Sequence, residues 1–257
     1  VKKSLSIKNI SYIEAMEMSH FGTKVIHPPT MQPALNKNIP IRIKNTLNPE
    51  FEGSVISSKT SSALTVKGIS TIKDIALIRV QGGGMVGITG ISRRLFGSLA
   101  RAKINIILIT QASSEHSICF VIKLEESKKA KKAIDEEFEL EIEAKKINEV
   151  IIEKDLSIIA IIGENMRHKP GVSGKMFQAL GQNGINVVAI AQGSSELNIS
   201  AVILNKDTAK AINALHDSFF LSGTKSLNLF IIGATGLIGS TLIEQIEKEK
   251  DRIRKDQ

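Results

Sequence analysis

Tryptophan is absent from this 257-residue chain, tyrosine and cysteine occur once each, and aromatic residues make up only 4% of it. Single-stranded nucleic-acid surfaces interleave basic residues with aromatic stacking platforms, so the net charge of +8 does not by itself point to such a partner. The lysines are spread over several segments, such as EESKKAKKAIDEEFELE, and read as solvated helix faces. No apolar run approaches the roughly 20 residues that span a bilayer. The opening VKKSLSIKNI lacks the apolar core of a signal peptide. The lone Cys119 excludes an internal disulfide and a cysteine metal cluster. These absences set the expectation of a cytoplasmic protein with no membrane, nucleic-acid or metal partner. Hydrophobic residues at 42% and charged ones at 23% are an ordinary globular balance. The length allows one large domain or two to three small ones.

What the chain does have is a repeat. GISRRLFGSLARAKINIILITQASSEHSI, beginning at Gly90, aligns without a gap on GVSGKMFQALGQNGINVVAIAQGSSELNI, beginning at Gly171. The offset of 81 residues pairs Ser92 with Ser173, Phe96 with Phe177, Leu99 with Leu180, Asn105 with Asn186 and Gln111 with Gln192. Outside that window Asp74 still pairs with Asp155, Gly82 with Gly163 and Phe138 with Phe219. In-phase matches over this span mean two copies of one structural unit.

Periodicity describes the unit. DIALIRV and DLSIIAII read as buried strands followed by glycine-bearing loops. In ISRRLFGSLARA and VSGKMFQALGQN the apolar residues recur at helical spacing. INIILIT with SICFVIK, and INVVAIA with NISAVIL, read as strand, polar turn, strand. ESKKAKKAIDEEF and KDTAKAINALHDSF supply a second helix, and LEIEAKKI is available as a fourth strand of the first copy. The order β-α-β-β-α-β is the ferredoxin-like plan, an α+β fold whose open sheet edges favour pairing with a second copy. SSALTVKGIS and NEVIIEKD could each serve either unit.

The glutamines stand where chemistry is available. Gln111 and Gln192 end their apolar strands, and a Gln side chain offers one acceptor oxygen and two donors to a small polar ligand. The helix behind the glycine-rich loop presents free backbone N–H groups suited to a carboxylate. Strand end and loop lie close in this plan, so both can converge on a zwitterion. One such glutamine alone could merely tie down its own turn; repetition in phase favours binding. Asn105 and Asn186, which open the same strands, are weaker candidates because Asn there could cap the preceding turn.

The flanks differ from the repeat. SYIEAMEMSHFG carries a capping box, Ser11 with Glu14, and a terminating Gly22. HPPTMQPALNKN reads as a helix with proline in its first turn, and IPIRIKN as a strand. At the other end, LNLFIIGATGLIGSTLIEQIEKEK reads as strand, glycine turn and helix, with Gly233, Gly236 and Gly239 spaced as in dinucleotide-binding turns. Thr235 departs from that pattern, standing where the second glycine would let the backbone approach a pyrophosphate.

Each repeat resembles the ACT domain, a small module that binds free amino acids. The wider run STIKDIALIRVQGGGMVGITG to AIAQGSSELNISAVI resembles the paired regulatory domains of aspartate kinase, of the type fused to homoserine dehydrogenase. That resemblance divides the chain into a kinase remnant (1–65), two ACT domains (66–149 and 150–224) and the first β-α of a Rossmann domain (225–257). It implies a regulatory region sensing L-threonine, with Gln111 and Gln192 binding it and Ile109 and Ile190, two residues earlier, touching it. It also implies homo-oligomers through the ACT sheets, and kinase and dehydrogenase domains as partners. A plastid location is expected if the source is a plant. FGTKVIHP resembles the family's nucleotide-side segment, with Lys24 near ATP phosphates, and the three terminal glycines would face NADP. The kinase's N-terminal strand and aspartate-binding acids have no counterpart here. No catalytic residue and no bound cofactor is therefore expected in this chain alone, ATP and NADP belonging to the parent enzyme. The alternative is a free-standing amino-acid-binding dimer or scaffold.

Overall fold

The computed structural model describes residues 6–22, 27–58, 64–111, 116–221 and 232–255. It separates into two units, Val1–Phe220 and Leu221–Gln257.

The first unit opens with β1 (Asn9–Ser11), helices α1 (Tyr12–His20) and α2 (Pro28–Asn36), and strands β2 (Ile41–Ile43) and β3 (Ser54–Ser57). The capping box starts α1: Ser11 Oγ accepts from the Glu14 backbone N–H at 3.0 Å, and the Ser11 N–H donates to the Glu14 carboxylate at 3.1 Å. Pro28 sits at the start of α2, where its missing N–H costs nothing. Strands β1-β3-β2 form a small sheet, and Ile10, Tyr12, Ala15, Met31 and Ile56 make its core.

The repeats follow as β4 (Gly68–Gln81), α3 (Ile91–Arg101), β5 (Leu108–Gln111), β6 (Ser117–Lys123), α4 (Ser127–Glu137) and α5 (Glu139–Glu143), then β7 (Ile151–Ile162), α6 (Val172–Gln182), β8 (Val187–Gln192), β9 (Asn198–Leu204) and α7 (Thr208–His216). All six strands join one antiparallel sheet in the order β5-β6-β4-β7-β9-β8. Two tandem ferredoxin-like units share it. The helices of both lie on one face. Ala76, Ile78 and Val80 of β4 pack with Leu95, Leu99, Ala130 and Ile134 in the first unit, and Ile159 and Ile161 of β7 pack with Met176, Leu180, Ala211 and Leu215 in the second.

The opposite face carries a third core of Ile75, Leu77, Val121, Leu156, Ile158, Ala160, Ile162 and Val202. The sheet covers much of this face by curling, because the outer strands β5 and β8 come within 8 Å Cα to Cα. Phe21, and partly Met18, of the α1 segment close it further.

The two central strands are longer than one unit requires, and each changes allegiance midway. Ile75–Gln81 of β4 pairs with β6 of the first unit, while Gly68–Ile72 pairs with the Ile158–Ile162 half of β7. Ile151–Glu153 of β7 lies against Leu77–Arg79 as the first unit's fourth strand, and Gly68–Ile72 is that of the second. The crossings fall where the register shifts, at Asp74 and Asp155, with φ of 55° and 57°. Aspartate tolerates this left-handed backbone better than the β-branched residues around it. Neither unit is therefore a contiguous stretch of chain.

The expectation that LEIEAKKI is the first copy's fourth strand is corrected. Its period-two alternation is real, but Phe138 and Ile142 also stand one helical turn apart, and both pack into the first core while Leu140 is 77% exposed. The segment forms α5 and a turn, and the vacant edge goes to Ile151–Glu153. Arg94 of α3 holds the α4–α5 corner, bonding to Glu137 and Glu141 and lying 4.6 Å from the Phe138 ring centroid.

Two glycines make the shared sheet possible. A Cβ on Gly82 would stand 2.3 Å from the Lys146 carbonyl oxygen, and one on Gly163 would stand 2.4 Å from that of Thr65. These are the points where the chain enters each exchanged half-strand. Gly163→Ala is expected to lower stability by about 1–3 kcal/mol in urea unfolding. Gly174→Ala, on α6 with nothing within 4 Å of its Cβ position, should raise it by roughly 0.5–1 kcal/mol. Equal effects of the two would remove the close-approach argument.

In the C-terminal unit (Leu221–Gln257), residues 232–236 form a turn and α8 (Leu237–Lys255) follows. A Cβ on Gly239 would meet the Gly233 carbonyl oxygen at 2.2 Å, so the turn folds tightly onto its helix. The strand expected over LNLFI, residues 227–231, lies outside the described residues.

Candidate functional site

Local geometry is duplicated in the two repeats. The glycine loop after each long strand makes a short turn, Gly83–Met85 or Glu164–Met166, pinned by a buried methionine, Met85 or Met166. The loop then reaches Gly90 or Gly171, with φ of 92° or 86°, a backbone that favours glycine. There α3 or α6 begins with no side-chain cap. The first N–H groups of both helices are thus left for solvent or a ligand, at the positive end of the helix dipole.

Facing each helix start is the end of an outer strand. Ile109 pairs with Phe120 and Gln111 with Ile118, while Ile190 pairs with Ala201 and Gln192 with Ile199. Those four partners belong to the helix-side cores. The two isoleucines and two glutamines therefore lie on the same face as the helices. Ile109 is 49% and Ile190 45% exposed, which is open for apolar side chains on an ordered strand. Gln192 is exposed and its Oε1 accepts a hydrogen bond from Ser173 Oγ, on the first turn of α6, at 3.2 Å. Strand end and helix start are joined by a side chain, and the glutamine amide is left with both N–H donors.

Glu196, the acid of the second Ser-Ser-Glu triplet, accepts from the His168 backbone N–H at 2.6 Å and so clamps the glycine loop to the strand turn. Its counterpart Glu115 lies outside the described residues. In the first repeat, Arg94 is held by Glu141 and Glu137, whose hydrogen bonds push the guanidinium above its ordinary value. The same bonds from Arg94 hold both carboxyls below the usual carboxylate range. Arg94 is thereby engaged by protein groups. Its counterpart Lys175 lies 5.2 Å from the centroid of Phe219, repeating the cation–ring contact.

The asparagines are not brought to the glutamines. Asn105 and Asn186 are exposed and precede β5 and β8 at the strand ends away from Gln111 and Gln192. Asn105 instead borders an open cleft of about 610 Å³ with His20, Ile72, Asp74, Ile107 and Lys123. Lys24 lies outside the described residues. Gly233, with φ 78°, Gly236 and Gly239 stand in the separate C-terminal unit.

Sequence reasoning missed the contacts that Ser173 and Glu196 make. Both carried a usable signal, since each recurs in phase, Ser92 with Ser173 and the Ser-Ser-Glu triplets with each other. Glu14, a buried carboxylate whose Oε1 accepts from the Glu164 N–H at 2.9 Å, gave no such signal beyond its capping box.

A family model described as an ACT domain matches residues 78–138 and 159–219. The bifunctional aspartokinase/homoserine dehydrogenase of Haemophilus influenzae is 42% identical over 97% of this chain and 30% of its own length. The chloroplastic enzyme of that name from Daucus carota is 40% identical over 97% of this chain and 28% of its own. The chain thus spans less than a third of these relatives. Among solved structures, Clostridium acetobutylicum aspartate kinase superposes with a TM-score of 0.77 at 27% identity, over 85% of this chain and 50% of that one. Escherichia coli aspartokinase III in complex with lysine and aspartate, in its T-state, gives 0.69 at 26% identity, over 86% of this chain and 48% of that one. Among the described residues no helix is long and apolar enough to cross a membrane.

Proposed function

The chain is a homologue of the bifunctional aspartokinase/homoserine dehydrogenases and carries their tandem ACT region, and from that premise we propose that it senses L-threonine at both repeats. The carrying observation is the Ser173–Gln192 contact, which places a strand-end amide against an uncapped helix start. The effector's carboxylate takes the first N–H groups of α3 or α6, and Gln111 or Gln192 takes its polar groups. Ile109 or Ile190 covers its apolar side. Threonine is favoured over lysine because Glu196 is already engaged by the His168 N–H and offers its charge to the loop rather than to an ε-ammonium.

In the complete protein this sensor governs ATP-dependent phosphorylation of aspartate and an NADP-dependent dehydrogenase. Lys24 would face the ATP phosphates, and the turn at Gly233, Gly236 and Gly239 would face NADP. Effector shifts a conformational equilibrium by its differential affinity for the two states. Copies associate through their ACT sheets.

Calorimetry of the 257-residue chain against threonine, lysine, methionine and isoleucine tests the reading. Heat with threonine and none with the other three is expected. Saturable lysine binding without threonine binding would reassign the effector to lysine, which Escherichia coli aspartokinase III holds together with aspartate in its T-state.

A further inference from the structure

We infer that Glu14 is the positioning residue through which the loop at the Gln192 site acts on α1, the first helix of the kinase-like segment. The inference rests on the effector reading of that site and adds its route of transmission.

Glu14 is 1% exposed, an unusual place for a carboxylate. One oxygen accepts from the Ser11 N–H at 3.1 Å, closing the local capping box. The other accepts from the Glu164 N–H at 2.9 Å, across 150 residues of chain. Glu164 opens the loop that runs to Gly171 and the uncapped start of α6. Three residues along α1, Glu17 accepts from the Asn198 side chain at 2.7 Å, and Asn198 begins β9 immediately after the turn that follows Gln192. Residues three apart share one face of a helix. The same face of α1 therefore grips both loops that border the second effector site. In the first repeat, the residue equivalent to Glu164 is Gly83, whose Cβ position has nothing within 4 Å.

The burial of Glu14 is what makes the contact a transmitter. An exposed carboxylate that loses a donor regains one from water, whereas a buried one is satisfied only by the protein N–H groups around it. Movement of the Glu164 loop on effector binding must then be followed by α1 or leave a buried acceptor oxygen without its donor.

Hydrogen exchange on the whole chain, with and without threonine, tests this with two variants. Glu14→Gln keeps one acceptor oxygen, enough for Ser11 or Glu164 but not for both. Glu164→Pro removes the donor from the other side; proline suits the first position of a helical turn, and Gly163 before it is already extended. In the unmodified chain, threonine is expected to alter exchange both at the Gln192 strand and in α1. In each variant the α1 response should be lost, while the strand response remains and threonine affinity stays within about tenfold of the original. An α1 response that persists in either variant overturns the role of Glu14. A strand response without an α1 response in the unmodified chain overturns the coupling and leaves the sensor standing. Silence at the strand with threonine and lysine alike removes the sensor reading and this inference with it.

Discussion

The Gln111→Ala, Gln192→Ala double variant is expected to lose threonine binding by calorimetry. Each glutamine supplies polar partners to a ligand that has left water, and removing such a partner costs on the order of 1–3 kcal/mol, or roughly ten- to a hundredfold in affinity per site. Both side chains lie at exposed strand ends, so truncating them leaves the cores intact and the unfolding transition should stay in place. The single Gln192→Ala variant also leaves Ser173 Oγ without its acceptor. Ser173→Ala alone should weaken binding less than Gln192→Ala, since it removes the orientation of the amide and not the amide. Unchanged threonine affinity in the double variant would make these glutamines turn residues and place the sensing site elsewhere.

Leu99→Ala and Leu180→Ala should each lower the same unfolding transition. The two leucines occupy equivalent positions on α3 and α6, are fully buried, and belong to different helix-side cores. Truncating a buried leucine costs about 3–5 kcal/mol, which for a unit of this size displaces Tm by roughly 5–20 °C. In a pair of independent domains, each substitution would move one transition and leave the other. Here each unit takes its fourth strand from the partner's central strand, and the third core is built from β4, β6, β7 and β9 together. Calorimetric unfolding should therefore show one ACT transition, shifted comparably by either variant. Two transitions of which only one moves would contradict the shared-strand architecture.

How much of this was legible in the sequence varied with the range of the interaction concerned. The repeat, the helices and the hairpin pairs follow from local periodicity, and a spacing of 81 residues makes the second copy an independent check on the first. The capping box at Ser11 and Glu14 and the proline start of α2 are likewise local chemistry. LEIEAKKI misled because a residue pair two apart and a pair four apart can both be read as faces. Only the position of the Phe138 and Ile142 pocket chooses between them.

By itself, then, the sequence determined two ferredoxin-like units, their glycine loops and the strand-end glutamines, because backbone propensity, apolar spacing and in-phase repetition act over a few residues. The tertiary structure alone decided which half-strand completes which unit. SSALTVKGIS and NEVIIEKD both hold β-branched apolar residues that could complete either unit, and the choice depends on the kinks at Asp74 and Asp155 and on the close approaches at Gly82 and Gly163. It alone also decided that Glu196 serves the loop and that Glu14 reaches Glu164, since a carboxylate's partner 150 residues away is set by packing and leaves no periodic trace.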